Sequence, residues 1–516
     1  MRGPFVNESS TDFSVVANRD AMQAAIEAVE RELGADYPIV VGGERRTTGA
    51  WIESINPGAT SQVVGRVAKA RPSDAEDALR AASEAFHGWS RTRAEARASV
   101  LFKMAGILRL RKLELAAWMV FELDKAWDEA DGEVCEAIDM LEWNGREMLR
   151  LDGPAPLASL PDEANRLVYQ GLGVGVVIPP WNFPCAIFTN MVMASVVAGN
   201  AVIVKPASAT PVIGFKLYEI MEEAGVPAGV VNFLPGSGSD IGDLLVDHTT
   251  TRFVAFTGSK EVGIRIFERG AKVHPGQRWL KRVTAEMGGK DAIIVAADAD
   301  LDAAAEGIVV SAFGFSGQKC SACSLAVIDE AVYDEVVEKV AERTRRLRVG
   351  QTIHGDTDLG AVVDEGQYRS ILEYIEIGKC EGTLVVGGDK AEGDGYFIQP
   401  TVFADLPKDA RIVREEIFGP VLAIVKARGI DEAIDIVNAG EYGLTGSVYS
   451  RNRATLEHAG RELDVGNLYF NRKCTGAMMG IHPFGGMKMS GTNTKSGGPD
   501  YLVNFMEAKA IGERLY

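Results

Sequence analysis

The sequence predicts an α/β protein of more than one domain, built on parallel sheets with helices on both faces. Three observations carry this. A chain of 516 residues exceeds what one hydrophobic core organises, so roughly two to four domains are expected. Between 165 and 260, short β-branched runs at 174–178, 201–204, 230–234 and 252–256 alternate with helical stretches such as 213–223, and the gaps hold one crossover helix each. Beyond 287 the alternation resumes, with 291–295 strand-like and 303–312 helical, and continues to about 485.

Helical periodicity dominates the first 150 residues. Met22, Ile26, Val29 and Leu33 share one face, and Ser73-x-x-Glu76 reads as a capping box opening a helix whose apolar side carries Ala75, Leu79, Ala82 and Phe86. Runs at 37–41 and 51–55 read as strands, and helices are expected over about 92–122 and 128–149. At the chain end, Tyr501, Leu502, Phe505 and Met506 are apolar enough to need a covering surface. With 165–170 they form an arm on another subunit or a segment packed on its own domain; the pattern alone does not choose.

Charge and cysteine usage exclude several classes. A formal net charge of −18 repels nucleic-acid phosphates and anionic membrane surfaces. Six cysteines scattered over the chain make no disulfide framework and suit a reducing cytoplasm, and six histidines form no cluster with metal-ligand spacing, so no metal is expected. No apolar run approaches the roughly 18 residues needed to span a bilayer.

The strand ends carry the chemistry, since open parallel sheets bind ligands at the carboxyl ends of their strands. Those ends run into Pro179-Pro180-Trp181-Asn182-Phe183-Pro184, Lys205-Pro206, Gly236-x-Gly238-x-x-x-Gly242 and Thr257-Gly258-Ser259-x-x-x-Gly263. Glycines there let backbone N–H groups approach a phosphate. The spacing departs by one residue from the dinucleotide fingerprint, so each stretch taken singly is equally a plain turn. In Phe315 to Cys323, Cys320 lies behind a glycine and beside Lys319, a setting expected to be exposed and electropositive enough to hold a nucleophilic thiolate. A cysteine alone is as readily an apolar filler.

Six stretches in order resemble the aldehyde dehydrogenase superfamily: Pro180-Trp181-Asn182-Phe183-Pro184, Phe256-Thr257-Gly258-Ser259, Glu286-Met287-Gly288-Gly289-Lys290, Gly317-Gln318-Lys319-Cys320, Glu416-Ile417-Phe418-Gly419-Pro420 and Pro483-Phe484-Gly485-Gly486. Cys320-Ser321-Ala322, the tract from Gly466 to Lys473, Thr475-Gly476-Ala477 and Met489-Ser490-Gly491-Thr492 are similar to the branch that oxidises glutamate semialdehyde, the open form of 1-pyrroline-5-carboxylate, to glutamate in proline breakdown. The resemblance implies an aldehyde dehydrogenase fold: a Rossmann-like NAD(P)-binding domain (1–148 and 168–287), an α/β catalytic domain (288–488) and a small β oligomerisation arm (149–167 and 489–516) in a dimer or dimer-based homo-oligomer.

It also implies roles. Cys320 is the nucleophile, Asn182 with the Cys320 N–H the oxyanion donor, and Glu286 the base for hydrolysis. Ile178, Pro179, Pro180, Trp181, Gly238, Gly242, Phe256, Thr257, Gly258 and Gly288 line the cofactor. Lys205 reaches the adenosine ribose, Ser259 the pyrophosphate, Glu416 the nicotinamide ribose and Phe418 one face of the nicotinamide. Ser321, Gly476 and Ala477 hold the substrate carboxylate, while Glu136, Phe183 and Phe484 frame its ammonium and chain. Ser208 departs from the pattern, standing where many relatives carry a glutamate that repels a 2′-phosphate, so NAD use with appreciable NADP activity is expected. Cys323 completes a C-x-x-C; a thioredoxin-like pair and a zinc site are disfavoured for it, which leaves an oxidative lock with Cys320.

Overall fold

Valine and isoleucine runs buried on both sides build the centre of the first large sheet. The computed structural model describes residues 3–516, and in it Arg282–Glu286, Thr251–Thr257, Val174–Ile178, Ala201–Val204 and Val231–Phe233 lie side by side in that order, all parallel. Alternate residues reach opposite layers, as the pleat requires. Val174, Val176 and Ile178 pack with Leu79 and Ala82 of helix Pro72–Trp89, whereas Val177 joins Phe188 and Val192 of helix Ala186–Val197 on the other face. Gly175 is demanded by its neighbour, because a Cβ there would meet the Phe253 ring at 2.0 Å.

The antiparallel strands Ile39–Val41 and Glu44–Arg46 extend this sheet at one edge. The run expected as one strand over 37–41 is therefore two, split by Pro38: Ala35–Tyr37 pairs instead with Val63–Ala68 in a separate three-stranded sheet. Proline has no N–H for a ladder, so the chain changes sheets there. Two helix expectations are corrected likewise. The span 92–122 is two helices, Ala94–Leu110 and Lys112–Leu123, broken at Arg111 (φ −106°, ψ 20°). The helix after 71 begins at Pro72, and Asp74 accepts from the Arg71 N–H at 2.9 Å, so the reciprocal cap lies two residues before the Ser73/Glu76 pair.

The second large sheet has the order Thr383–Val386, Thr401–Ala404, Val421–Ala427, Cys323–Asp329, Asp291–Val295, Thr445–Tyr449, Asn467–Phe470. All its pairs are parallel except the first. Its faces again separate by parity: Ala292, Ile294, Leu325 and Val327 enter one core, Ile293, Val295, Ala326 and Ile328 the other.

Glu163–Gly171 and Met506–Arg514 pair antiparallel over their full length as an isolated two-stranded sheet. The apolar residues leading into the second strand do not wait for a partner, nor does its first residue. Tyr501, Leu502, Phe505 and Met506 are buried in the large core against the helices of the first half, so the same-chain reading holds for them and only the projecting strands remain uncovered. No helix among the described residues is long and apolar enough to cross a membrane.

Candidate active site

The two large sheets present facing ends to one another, joined by contacts such as the Asn182 amide on the Gln318 carbonyl. The first contributes the carboxyl ends of its strands: Ile178 leads into Pro179–Asn182, Val204 into Lys205, and the strands ending at Thr257 and Glu286 lie in register beside one another. The second contributes the amino ends: Cys320 precedes strand Cys323–Asp329, Gly288 precedes Asp291–Val295, and Glu416 and Phe418 precede Val421–Ala427.

Cys320 is partly exposed, on a turn held in an uncommon conformation. Phe315, Ser316 and Gly317 have φ of 51°, 52° and 69°, a region that costs a non-glycine residue free energy unless its surroundings impose it. They do so here. The Ser316 hydroxyl donates to the Gly360 carbonyl at 2.6 Å, the buried Gln318 amide bridges the Ala361 carbonyl (3.3 Å) and the Val363 N–H (2.9 Å), and a Cβ on Gly317 would meet the Gly419 oxygen at 2.2 Å. The Asn182 amide closes the constellation by donating to the Gln318 carbonyl at 3.0 Å.

The electrostatic expectation for Cys320 is overturned. The Lys319 ammonium turns away to the Glu129 carboxylate at 2.6 Å, and burial together with Asp291, Glu416 and Glu286 pushes the thiol well above its usual range. These surroundings favour the thiol over the thiolate, so a base assists its ionisation. Glu286 has suitable properties: burial raises its carboxyl to about 7 against the opposing hydrogen bonds from Gly486 N–H (3.0 Å), Thr494 N–H (3.4 Å) and the Thr494 hydroxyl (3.2 Å). Thr494 gave no signal in sequence, because it approaches Glu286 only through the fold.

The cofactor-side residues form a groove. Helix Lys260–Ala271 is capped at Ser259, whose hydroxyl accepts from the Val262 N–H at 3.4 Å; the N–H groups of such a first turn suit a phosphate. A Cβ on Gly238 or Gly242 would enter open space. The Phe256 ring is buried beneath Gly258, where a Cβ would meet it at 2.6 Å, so its side chain shapes the glycine turn. Thr257 donates to the Met191 sulfur at 3.4 Å. Burial lowers the Lys205 ammonium to about 8, and it makes only long contacts, to the Gly236 and Pro206 carbonyls at 3.2 and 3.3 Å. Ser208 is exposed nearby. Glu416 accepts from the Gly289 N–H at 2.9 Å, burial raises it to about 7, and its other oxygen occupies the space a Cβ on Gly288 would need. Phe418, at φ 57°, meets the Trp181 ring edge to face at 5.5 Å. A buried cation free to donate, a carboxylate free to accept, a helix N-terminus and open glycines fit a dinucleotide.

On the other side of Cys320, Ser321 and Ala477 are partly exposed and Gly476 is exposed at φ 74°. Glu136 is raised to about 8 by burial and by Glu133 and Asp139. Phe183 and Phe484 are partly exposed. Cys323 is fully buried, donates to the Leu325 carbonyl at 3.3 Å and has Cys474 as its thiol neighbour, so its partner in the fold is not Cys320. Lys125 and Glu133, which sequence reading passed over, are buried and paired, Lys125 donating to the Asn182 carbonyl; Lys125 closes the largely apolar stretch from Leu115, and Glu133 gave no signal of its own. Among the described residues no group of three or more His, Cys, Asp or Glu is placed to hold a metal ion.

Comparison with known proteins places this arrangement. A sequence profile described as the aldehyde dehydrogenase family matches residues 13–511. A 1-pyrroline-5-carboxylate dehydrogenase of Geobacillus kaustophilus (strain HTA426) is 59% identical over 510 residues, covering 99% of each chain. The structure of 1-pyrroline-5-carboxylate dehydrogenase from Thermus with bound NAD is 51% identical and superposes over 100% of both chains with a TM-score of 0.98. Betaine aldehyde dehydrogenase from Staphylococcus aureus in complex with NAD+ is 26% identical, with a TM-score of 0.89 over 98% of this chain and 97% of that one.

Proposed function

This chain belongs to the aldehyde dehydrogenase family, and on that premise we propose that it oxidises L-glutamate 5-semialdehyde to L-glutamate with NAD, the closing step of proline degradation. Supporting the proposal, Asn182 donates to the Gln318 carbonyl two residues before Cys320 and Glu286 acts electrostatically on the Cys320 thiol, in a chain more than half identical throughout to a 1-pyrroline-5-carboxylate dehydrogenase.

Glu286, ionised above about 7, takes the Cys320 proton, and the sulfur bonds to the aldehyde carbon. The negative charge moving onto the carbonyl oxygen is met by the Asn182 amide and the Cys320 N–H, already in place before the reaction. NAD, held by Lys205, Ser259 and Glu416, supplies the acceptor for the hydride leaving that carbon, which leaves a thioester on Cys320. Glu286 passes the proton it took from Cys320 to solvent, then deprotonates the water that cleaves the thioester and hands this second proton to the Cys320 sulfur while glutamate departs as its carboxylate. At the far end of the substrate, Ser321 and the N–H groups of Gly476 and Ala477 orient the α-carboxylate without leaving a buried charge unpaired in the empty site. Glu136, raised by burial, returns to its ionised form beside the α-ammonium, and Phe183 and Phe484 flank the chain.

The test is NADH formation over aldehydes of graded length with and without an α-amino acid group. Glutamate semialdehyde is expected to give the highest kcat/KM; preference for simple aliphatic aldehydes would overturn the substrate while leaving the chemistry intact. Exposed Ser208 beside Lys205 tolerates a 2′-phosphate, so NADP also serves as acceptor; discrimination against it on the order of several thousandfold would contradict this. The protein acts in the cytoplasm as a homo-oligomer built on a dimer. The projecting pair Glu163–Gly171 and Met506–Arg514 is too small a sheet to stand alone, and Ile264, Phe267 and Leu280 are exposed.

A further inference from the structure

We propose that Lys125 is a positioning residue for Asn182: neutralised by Glu133, its ammonium locks the turn carrying Asn182 onto the turn carrying Cys320. Lys125 sits between helices Lys112–Leu123 and Trp127–Leu151 with no exposed surface. Nζ donates to the Asn182 backbone carbonyl at 2.8 Å and to the Glu133 carboxylate. It also lies 4.6 Å from the centre of the Phe183 ring and 4.2 Å from that of Phe315. Phe183 follows Asn182, and Phe315 opens the strained turn that ends at Cys320, so one cation grips both halves of the site. Glu133 extends the grip: its second oxygen accepts from the Cys185 and Ala186 N–H groups at 2.7 and 3.1 Å, fixing the start of helix Ala186–Val197 behind Asn182.

A wholly buried ion pair is poor value as a stabilising device, since apolar side chains of similar volume commonly do as well. Its use here is geometric. The Asn182 amide already reaches the Gln318 carbonyl at 3.0 Å, and an oxyanion donor loses its effect when displaced by a fraction of an ångström. Lys125 touches the one backbone carbonyl whose position sets that reach, and cation–π contact with two rings restrains the ammonium where no water competes.

This inference rests on Asn182 being the oxyanion donor, and the experiment separates the two claims. Hydride transfer is measured in single turnovers for the wild type, for Lys125→Met/Glu133→Gln, for Asn182→Ala and for all three changes together, alongside iodoacetamide labelling of Cys320 and NAD affinity. Asn182→Ala is expected to slow hydride transfer on the order of 10²-fold. The neutral pair variant is expected to slow it at least about tenfold and to add nothing to Asn182→Ala, because both act through one amide. Labelling and NAD affinity stay at wild-type values. Lys125→Gln/Glu133→Gln, which restores a donor to the Asn182 carbonyl, recovers most of the rate. Multiplying effects, an unimpaired Met variant, a glutamine variant as slow as the methionine one, or parallel loss of labelling and NAD binding would each overturn the role of Lys125. Unimpaired hydride transfer in Asn182→Ala would instead remove the oxyanion assignment itself.

Discussion

The two large sheets use opposite ends to build one cleft. The first follows the usual logic of parallel sheets: the strands ending at Ile178 and Val204 run into Pro179–Asn182 and Lys205, and the one ending at Thr257 runs into Gly258 and a helix N-terminus whose N–H groups suit phosphate. The second presents its amino ends, where chain segments enter strands after tight turns with positive φ at Phe315, Ser316 and Phe418. The difference teaches that an anion-binding half can be read from strand-end composition, whereas the reacting half depends on turns held by distant residues. It also explains the electrostatics. The cysteine side is ringed by Asp291, Glu416 and Glu286, which raise the thiol, so reactivity there depends on a proton acceptor and on oxyanion donors.

The largest break in the comparison is Cys320→Ala, expected to lower aldehyde oxidation on the order of 10⁴-fold or more while leaving NAD affinity unchanged by equilibrium titration. Lost NAD binding would mean that the halves are not separable. Next, Glu286→Gln, which removes the base from both proton transfers, should slow single-turnover hydride transfer and lower steady turnover, each on the order of 10²-fold or more, as read by stopped-flow NADH formation. Because burial raises Glu286 to about 7, its reactive form is depleted as pH falls. Hydrolysis in the wild type should therefore drop about tenfold per unit below 7 and level off above it; a profile flat from 5 to 7 would contradict the assignment. The smallest effect probes the seam. A Cβ in Gly288→Ala would lie 2.0 Å from Glu416 Oε2, so Glu416 must swing aside and NAD affinity should weaken about tenfold, or about 1.4 kcal/mol, with Cys320 labelling unchanged.

Sequence pattern determined what depends on local chemistry. Strand runs at 174–178, 201–204 and 291–295 agree with the structure to the residue, since a strand buried on both faces must be apolar along its length. The ordered motifs singled out Cys320, Asn182, Glu286 and Glu416, and the strand end at Val204 singled out Lys205, for the same reason: each lies near a glycine, a proline or a strand end whose composition is constrained locally. Tertiary structure decided the rest. That Lys319 would spend its charge on Glu129, that Cys323 would lie beside Cys474, that Pro38 would send its flanking strands into different sheets, and that Thr494, Lys125 and Glu133 would stand behind the reacting groups are contacts between residues far apart in the chain. Periodicity reports which face of an element is apolar; it carries no information about which distant residue will be laid against that face. In this protein that second kind of contact sets the proton affinity of the sulfur and the reach of the amide beside it.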